Sequence, residues 1–199
     1  MLSRSLYPTY RKYRRKALKP EIKVLSRERF VYEVDEIRQY LRDNSCSEIE
    51  IDNMVSTALQ IISNRFNCSV TLSEIQAYWQ DVQDRAVLPL SPIRNVTKVE
   101  TQKRDGSFTE ITEYDIFGFE QKEVKPNRYS DISSVREGYP LRVTYTAGYS
   151  QDSPEMASFR TAVNKIVAEL YFQRGTQTDV SNFELPNDVT QILAFAKNY

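Results

Sequence analysis

The chain has 199 residues, 40% hydrophobic and 27% charged, with 27 Lys+Arg against 27 Asp+Glu, the composition of one globular domain with room for an extension. It has no histidine and two cysteines, which excludes Ser-His-Asp triads, Cys-His dyads, imidazole metal sites, histidine pH switches and a Cys-based zinc site within one chain. Its five glycines begin only at Gly106 and lack phosphate-loop spacing, so composition argues against a familiar enzyme, and no catalytic residue, metal or cofactor is expected.

The zero net charge hides a split. Residues 1–30 hold ten bases and two acids, Glu21 and Glu28, for +8; the remainder holds 17 bases and 25 acids, for −8. The chain reads as a basic arm on an acidic body, a pattern that suits contact with nucleic acid, a membrane or an acidic protein surface. Within the arm, Tyr7, Tyr10 and Tyr13 alternate with Arg11, Lys12, Arg14, Arg15 and Lys16. Tyrosines among cations can stack bases while the cations meet phosphates. The plainer reading is that they anchor the arm on an acidic body, its own or a neighbour's, or that the arm is a disordered tail. No apolar stretch follows the charges as in a secretory signal, Pro8 and Pro20 interrupt a transit-type helix, and no run of about 18 apolar residues exists to span a membrane.

After the arm, Val34, Ile37 and Leu41 predict a helix over 33–43. Ser47 with Glu50 forms a capping-box pattern for a second helix, carried by Ile51, Met54, Val55, Ala58, Ile61, Ile62 and Phe66 and ending near Asn67. Residues 69–82 fit either a helix or a strand with a bulge at Ser73-Glu74; the β-branched and aromatic content favours the strand. Pro89 and Pro92 bracket an extended stretch. The segment 95–102 reads as a strand, "KRDGSF" as a hairpin turn and 108–117 as one returning strand, with 119–139 a long polar loop. Leu141, Val143 and Tyr145 share one face of a strand broken at Gly148. Pro154 opens a long helix that Gly175 ends. A polar linker, 176–182, leads to a last helix with Val189, Ile192, Leu193 and Phe195 on its apolar side. Cys46 and Cys68 read as buried apolar residues in a reducing compartment.

The expected fold is α+β and mainly α-helical: a helical bundle with a small antiparallel β-region inserted between an N-terminal helix pair and the C-terminal helices. The divisions are a basic arm (1–30), a core domain (31–175), and a linker with a partner-binding C-terminal helix (176–199). Asp105, Glu110, Glu113 and Asp115 could be taken for the carboxylates of a metal-dependent nuclease, but four acids near a hairpin are ordinarily a solvated face.

The order of these pieces carries a resemblance. "VTYTAGY" at 143–149, Pro154 with the helix "FRTAVNKIVAELYFQRG", Leu185-Pro186 before a short final helix, the opening helical pair and the proline-bracketed hairpin "LPLSPIRNVTKVETQKRDG" together resemble the head–tail connector (adaptor, or head-completion) proteins of tailed bacteriophages over residues 33–199. The basic arm is an extension beyond that likeness. The resemblance implies a structural virion protein with no catalytic residues or cofactor. It implies a homo-oligomeric ring, usually of twelve subunits, assembled in the host cytoplasm. The ring docks beneath the portal protein, extends the channel for packaged double-stranded DNA, and presents a surface to a stopper, tail or nozzle protein.

In that family the C-terminal segment commonly reaches the portal, which makes Phe183, Leu185, Ile192, Phe195 and Tyr199 the candidate partner-facing residues. The alternative for that helix is folding back on its own core. Thirteen tyrosines among 23 aromatics also suit interfaces, where a tyrosine buries its ring while satisfying its hydroxyl. The competing function is a nucleic-acid-binding module built on the tyrosine-rich arm.

Overall fold

The structure is a computed structural model and describes residues 19–82, 85–127, 139–173 and 184–197, with the side chains of 195–197 not described. The chain enters as a strand, β1 (Glu21–Arg27), within the segment that composition assigned to the basic arm. Two helices follow. Helix α1 (Val34–Leu41) carries Asp35 and Glu36 in its first turn, where acids complement the helix dipole, and buries Ile37 and Leu41. Helix α2 (Glu48–Phe66) starts on the predicted capping box: the Glu50 N–H donates to Ser47 Oγ at 3.3 Å, and the Ser47 N–H donates to the Glu50 carboxylate at 3.1 Å. It ends as Asn67 turns left-handed at φ 48°.

Seven strands separate these helices from the next pair: β2 (Ser73–Trp79), β3 (Ala86–Val87), β4 (Ile93–Gln102), β5 (Phe108–Glu110), β6 (Tyr114–Phe117), β7 (Glu123–Pro126) and β8 (Leu141–Ala147). Helices α3 (Pro154–Phe172) and α4 (Asn187–Lys197) close the chain. One antiparallel sheet has the order β1-β2-β8-β4-β5, and a smaller one has the order β3-β7-β6. Helix and strand content is therefore roughly equal, which corrects the expectation of a mainly helical bundle with a small β-insertion. The central sheet also recruits β1 from in front of the first helix.

Two segments differ from their sequence reading. The expected single strand over 108–117 divides at Ile111, whose N–H donates to Val99 O at 2.8 Å; β5 stays with β4 and β6 joins the smaller sheet. The expected loop over 119–139 contains β7, paired with both β3 and β6. The bulge expected at Ser73-Glu74 is absent. Thr71, Ser73, Ile75, Ala77 and Trp79 are all buried in strict alternation, and the irregularity in that pairing lies opposite, at Val24/Ser26 of β1.

The molecule has two cores. Helices α1–α4 enclose one, around Ile37, Ile51, Ile62, Phe159, Ile166 and Leu193, with Cys46 and Cys68 buried in it and not joined by a disulfide. The other lies between the two sheets, where Ile75, Val99, Leu141, Val143 and Tyr145 meet Leu88 and Val124. The Tyr145 hydroxyl, fully buried, donates to Pro89 O at 2.8 Å, and burial pushes its pKa far up.

The cores join where β8 leaves the sheet. Gly148 has φ 109°, its N–H donates to Pro92 O at 2.9 Å, and a Cβ there would lie 2.1 Å from Thr71 O. Immediately beyond it, Tyr149 crosses into the helical core and packs its ring 5.0 Å from that of Phe159.

Gly148→Ala should cost about 3 kcal/mol, from backbone strain and the forced retreat of Thr71. Urea unfolding followed by tryptophan fluorescence would measure it, with Gly106→Ala as the comparison: Gly106 has φ 87° but no atom within 4 Å of the added Cβ, so its cost should be about 1 kcal/mol. Equal losses would contradict the close-approach account.

Candidate assembly surfaces

The C-terminal helix is the first surface to place. Val189 and Leu193 are buried in the helical core, and Leu185 and Ile192 pack against it partly buried. Lys165 of α3 pairs with Asp188, and this ion pair holds the lysine pKa up and the aspartate pKa down. Thus α4 spends its apolar face on its own chain. Phe183, Tyr199 and the side chain of Phe195 lie outside the described residues, as do arm residues Tyr7, Tyr10, Arg11, Lys12, Tyr13, Arg14, Arg15 and Lys16.

The outer face of the large sheet is the second surface. Register sets Tyr78, Arg142, Glu100 and Glu110 in one row across β2, β8, β4 and β5. Arg142 Nε donates to Glu100 Oε2 at 2.8 Å, and Lys98 Nζ lies 2.9 Å from the other carboxylate oxygen. Phe108 lies over this pair, its ring centroid 3.5 Å from the guanidinium carbon, and meets Tyr78 edge-on at 6.0 Å. The stacked cation and the covered carboxylate form a partly desolvated network, where pairing is worth more than at an open surface. Burial pushes the Glu100 carboxyl up, but the hydrogen bonds from Arg142 and Lys98 outweigh it and hold the group below the usual carboxylate range. Beside the network runs an open groove of about 430 Å³, lined by Glu21, Lys23, Gln76, Tyr78, Gln102 and Phe108 among others. This face holds no nucleophile–base pair, and its carboxylate is committed to two cations.

The four hairpin acids do not act as a set. Asp105 accepts from Ser107 N–H at 2.9 Å and from Ser107 Oγ at 2.6 Å, bonds that lower its pKa and close the turn. Among the described residues, no three His, Cys, Asp or Glu side chains gather in a way that could hold a metal ion. No described helix is long and apolar enough to cross a membrane.

Two apolar surfaces escaped the sequence reading. All seven residues of β1 are exposed, Ile22, Val24 and Leu25 among them. On the smaller sheet and the β6–β7 turn, Val87, Ile116, Phe117 and Phe119 are exposed, Phe119 at 92%. Register places Val87, Glu123 and Phe117 side by side, with Arg85 over the Phe117 ring at 4.4 Å and bonded to Glu123 at 3.2 Å. The available signals were "Phe-Gly-Phe" at 117–119 in a polar stretch, and the Ile22/Val24 alternation inside the basic window.

No protein-family model matches the chain, and no curated protein matches its sequence. Solved structures do share its fold. A chain in the virion of a native gene transfer agent particle superposes with a TM-score of 0.67 at 15% identity, covering 87% of this chain and 93% of that one. A chain in the neck of an empty gene transfer agent particle, computed with C6 symmetry, gives 0.64 at 14% identity, covering 88% and 94%. A chain in the neck of the native particle, computed with C12 symmetry, gives 0.55 at 16% identity, covering 86% and 94%.

Glu100→Gln should destabilise the protein by about 1–2 kcal/mol at pH 7, the worth of hydrogen bonds to a charged group. Because the folded-state pKa is depressed, this stabilisation is full above the ordinary carboxylate range and is lost as pH falls through the folded value. Denaturant melts of both proteins at stepped pH should show the difference closing in acid; a gap constant with pH would contradict the assignment.

Proposed function

We propose that the protein is a structural subunit of the neck of a phage-like particle, with no catalytic role. In this reading it forms a ring, of twelve subunits, beneath the portal at the head–tail interface of the virion. The ring completes the head, extends the DNA channel and offers the attachment surface for a stopper, tail or nozzle protein. Assembly takes place in the host cytoplasm.

The observation that carries the reading is the fold likeness spanning 87% of this chain and 93% of a gene transfer agent virion chain, joined by chains from necks computed with C6 and C12 symmetry. The charge split supports it as well. Twelve bodies rich in acid repel one another, and a basic arm laid on a neighbour or on the portal offsets that. A channel wall rich in acid lets DNA slide, because adhesion through phosphates needs cations.

Electron microscopy of the full chain mixed with its portal should show twelve-fold rings seated on the portal; monomers persisting with portal present would overturn the reading. The arm's part is tested separately. Because β1 begins at Glu21, removal of residues 1–18 spares the sheet and deletes Arg4, Arg11, Lys12, Arg14, Arg15 and Lys16. Portal attachment of this truncation should weaken several-fold at low salt and match the full chain at high salt, where screening removes the arm's contribution. Equal attachment at both salts would sink the arm's role.

A further inference from the structure

The inner face of the large sheet is unfinished at β1. Ile22 lies opposite Ala77 and Val24 opposite Ile75, so both continue the apolar face that β2 buries completely. Yet they remain exposed, Val24 at 38%. In the sheet order β1-β2-β8-β4-β5, β1 is an edge strand with one pairing partner. An edge strand with bare apolar side chains is a template for another chain unless something covers it.

The second apolar surface lies on the opposite flank. The β6–β7 turn is tied to the start of β4: the Ile93 N–H donates to Glu120 O at 3.0 Å, and Lys122 Nζ donates to Arg94 O at 3.2 Å. In the sheet order β4 is three strands from β1, about 14 Å at ordinary strand spacing. The strip on β1 and the patch around Phe119 therefore do not cover each other within one molecule. Their charges are complementary. Residues 19–29 carry Lys19, Lys23, Arg27 and Arg29 against Glu21 and Glu28, a balance of +2. Residues 113–123 carry Glu113, Asp115, Glu120 and Glu123 against Lys122, a balance of −3.

We infer that these two surfaces are the two halves of one contact: the β1 strip of one copy docks against the β6–β7 turn of a second copy of this chain, with Phe119 covering Val24. Two different patches on opposite flanks make a head-to-tail contact, and such a contact repeats until it closes. The inference rests on the ring reading above and gives it its interface.

The test uses the full chain with a cysteine at one or both positions; native Cys46 and Cys68 are buried and serve as an unreactive background. With a short bis-maleimide linker, Val24→Cys mixed with Phe119→Cys should give covalent dimers, neither variant alone should link, and the double variant should give a ladder. Phe119→Asp, at a solvent-exposed side chain and with an unchanged circular dichroism spectrum, should weaken self-association at least about tenfold. Rings seen by electron microscopy without Val24–Phe119 links overturn the docking inference and leave the ring reading standing. Linked copies that never close into rings uphold the docking and overturn the ring. Val24→Cys linking to its own kind, or no self-association at any concentration, overturns the inference.

Discussion

The backbone crossing at Gly148 is the constraint on which the rest of the structure depends. There β8 must finish its pairing with both β2 and β4 and then send Tyr149 into a different core. Thr71 O stands where a side chain would begin, so only a residue without a Cβ fits, and φ 109° is accessible to glycine at little cost. Around this point the sheet is stapled to the helical side by short bonds. Arg94 Nε donates to Gly148 O at 2.8 Å, Thr71 Oγ1 donates to Glu28 O at 2.9 Å, and Ser69 and Ser91 pair through the Ser69 N–H at 3.1 Å. Because Glu28 follows β1 and Ser91 precedes β4, the same knot fixes where β1 and β4 begin and end relative to the helices.

How much of this was legible in the sequence depended on which side of each element faced water. Helix α2 announced itself because its cap is local and its buried residues recur every three to four positions. The Asp105-Gly106 turn and the Gly148 break were readable because glycine marks positive φ. Strand β2 was obscured because the buried positions where it begins, Thr71 just before it and Ser73 at its start, are polar: Thr71 Oγ1 donates to Glu28 O, and Ser69 Oγ and Ser73 Oγ both donate to the Thr71 backbone O. The alternation of burial is unbroken while the alternation of hydrophobicity is not. Strands β6 and β7 are four residues each with few buried positions, too short for periodicity to separate them from loop. Strand β1 is exposed at every position, so the short Ile22/Val24 alternation is a weak mark against the basic segment before it.

The last helix left two neighbours open in the sequence, a partner chain or its own core. The helix has the apolar side that was read from Val189, Ile192 and Leu193, and that side is met by α3 of the same chain. An amphipathic pattern reports that a face will be covered and not by whom. The Lys165–Asp188 pair, joining residues 23 positions apart, is the kind of long-range contact that resolves this and that no local pattern contains.

The two-core design also separates duties. The surfaces assigned to copy–copy contact, at β1 and the β6–β7 turn, both belong to the sandwich half, on either side of a sheet whose outer face is stiffened by the Arg142–Glu100–Lys98 network. The proposed contact uses residues of the strands alone, and the helices are not needed for it. A ring built on the rigid half has a fixed angle between neighbours. In the proposed contact that angle would follow from how β1 and the β6–β7 turn are held within one subunit, and it would decide how many copies close the ring. In the proposed ring, any shift between the sheet and the Gly148 crossing would be repeated at every contact, so the packing of one subunit would bear on the closure of the whole.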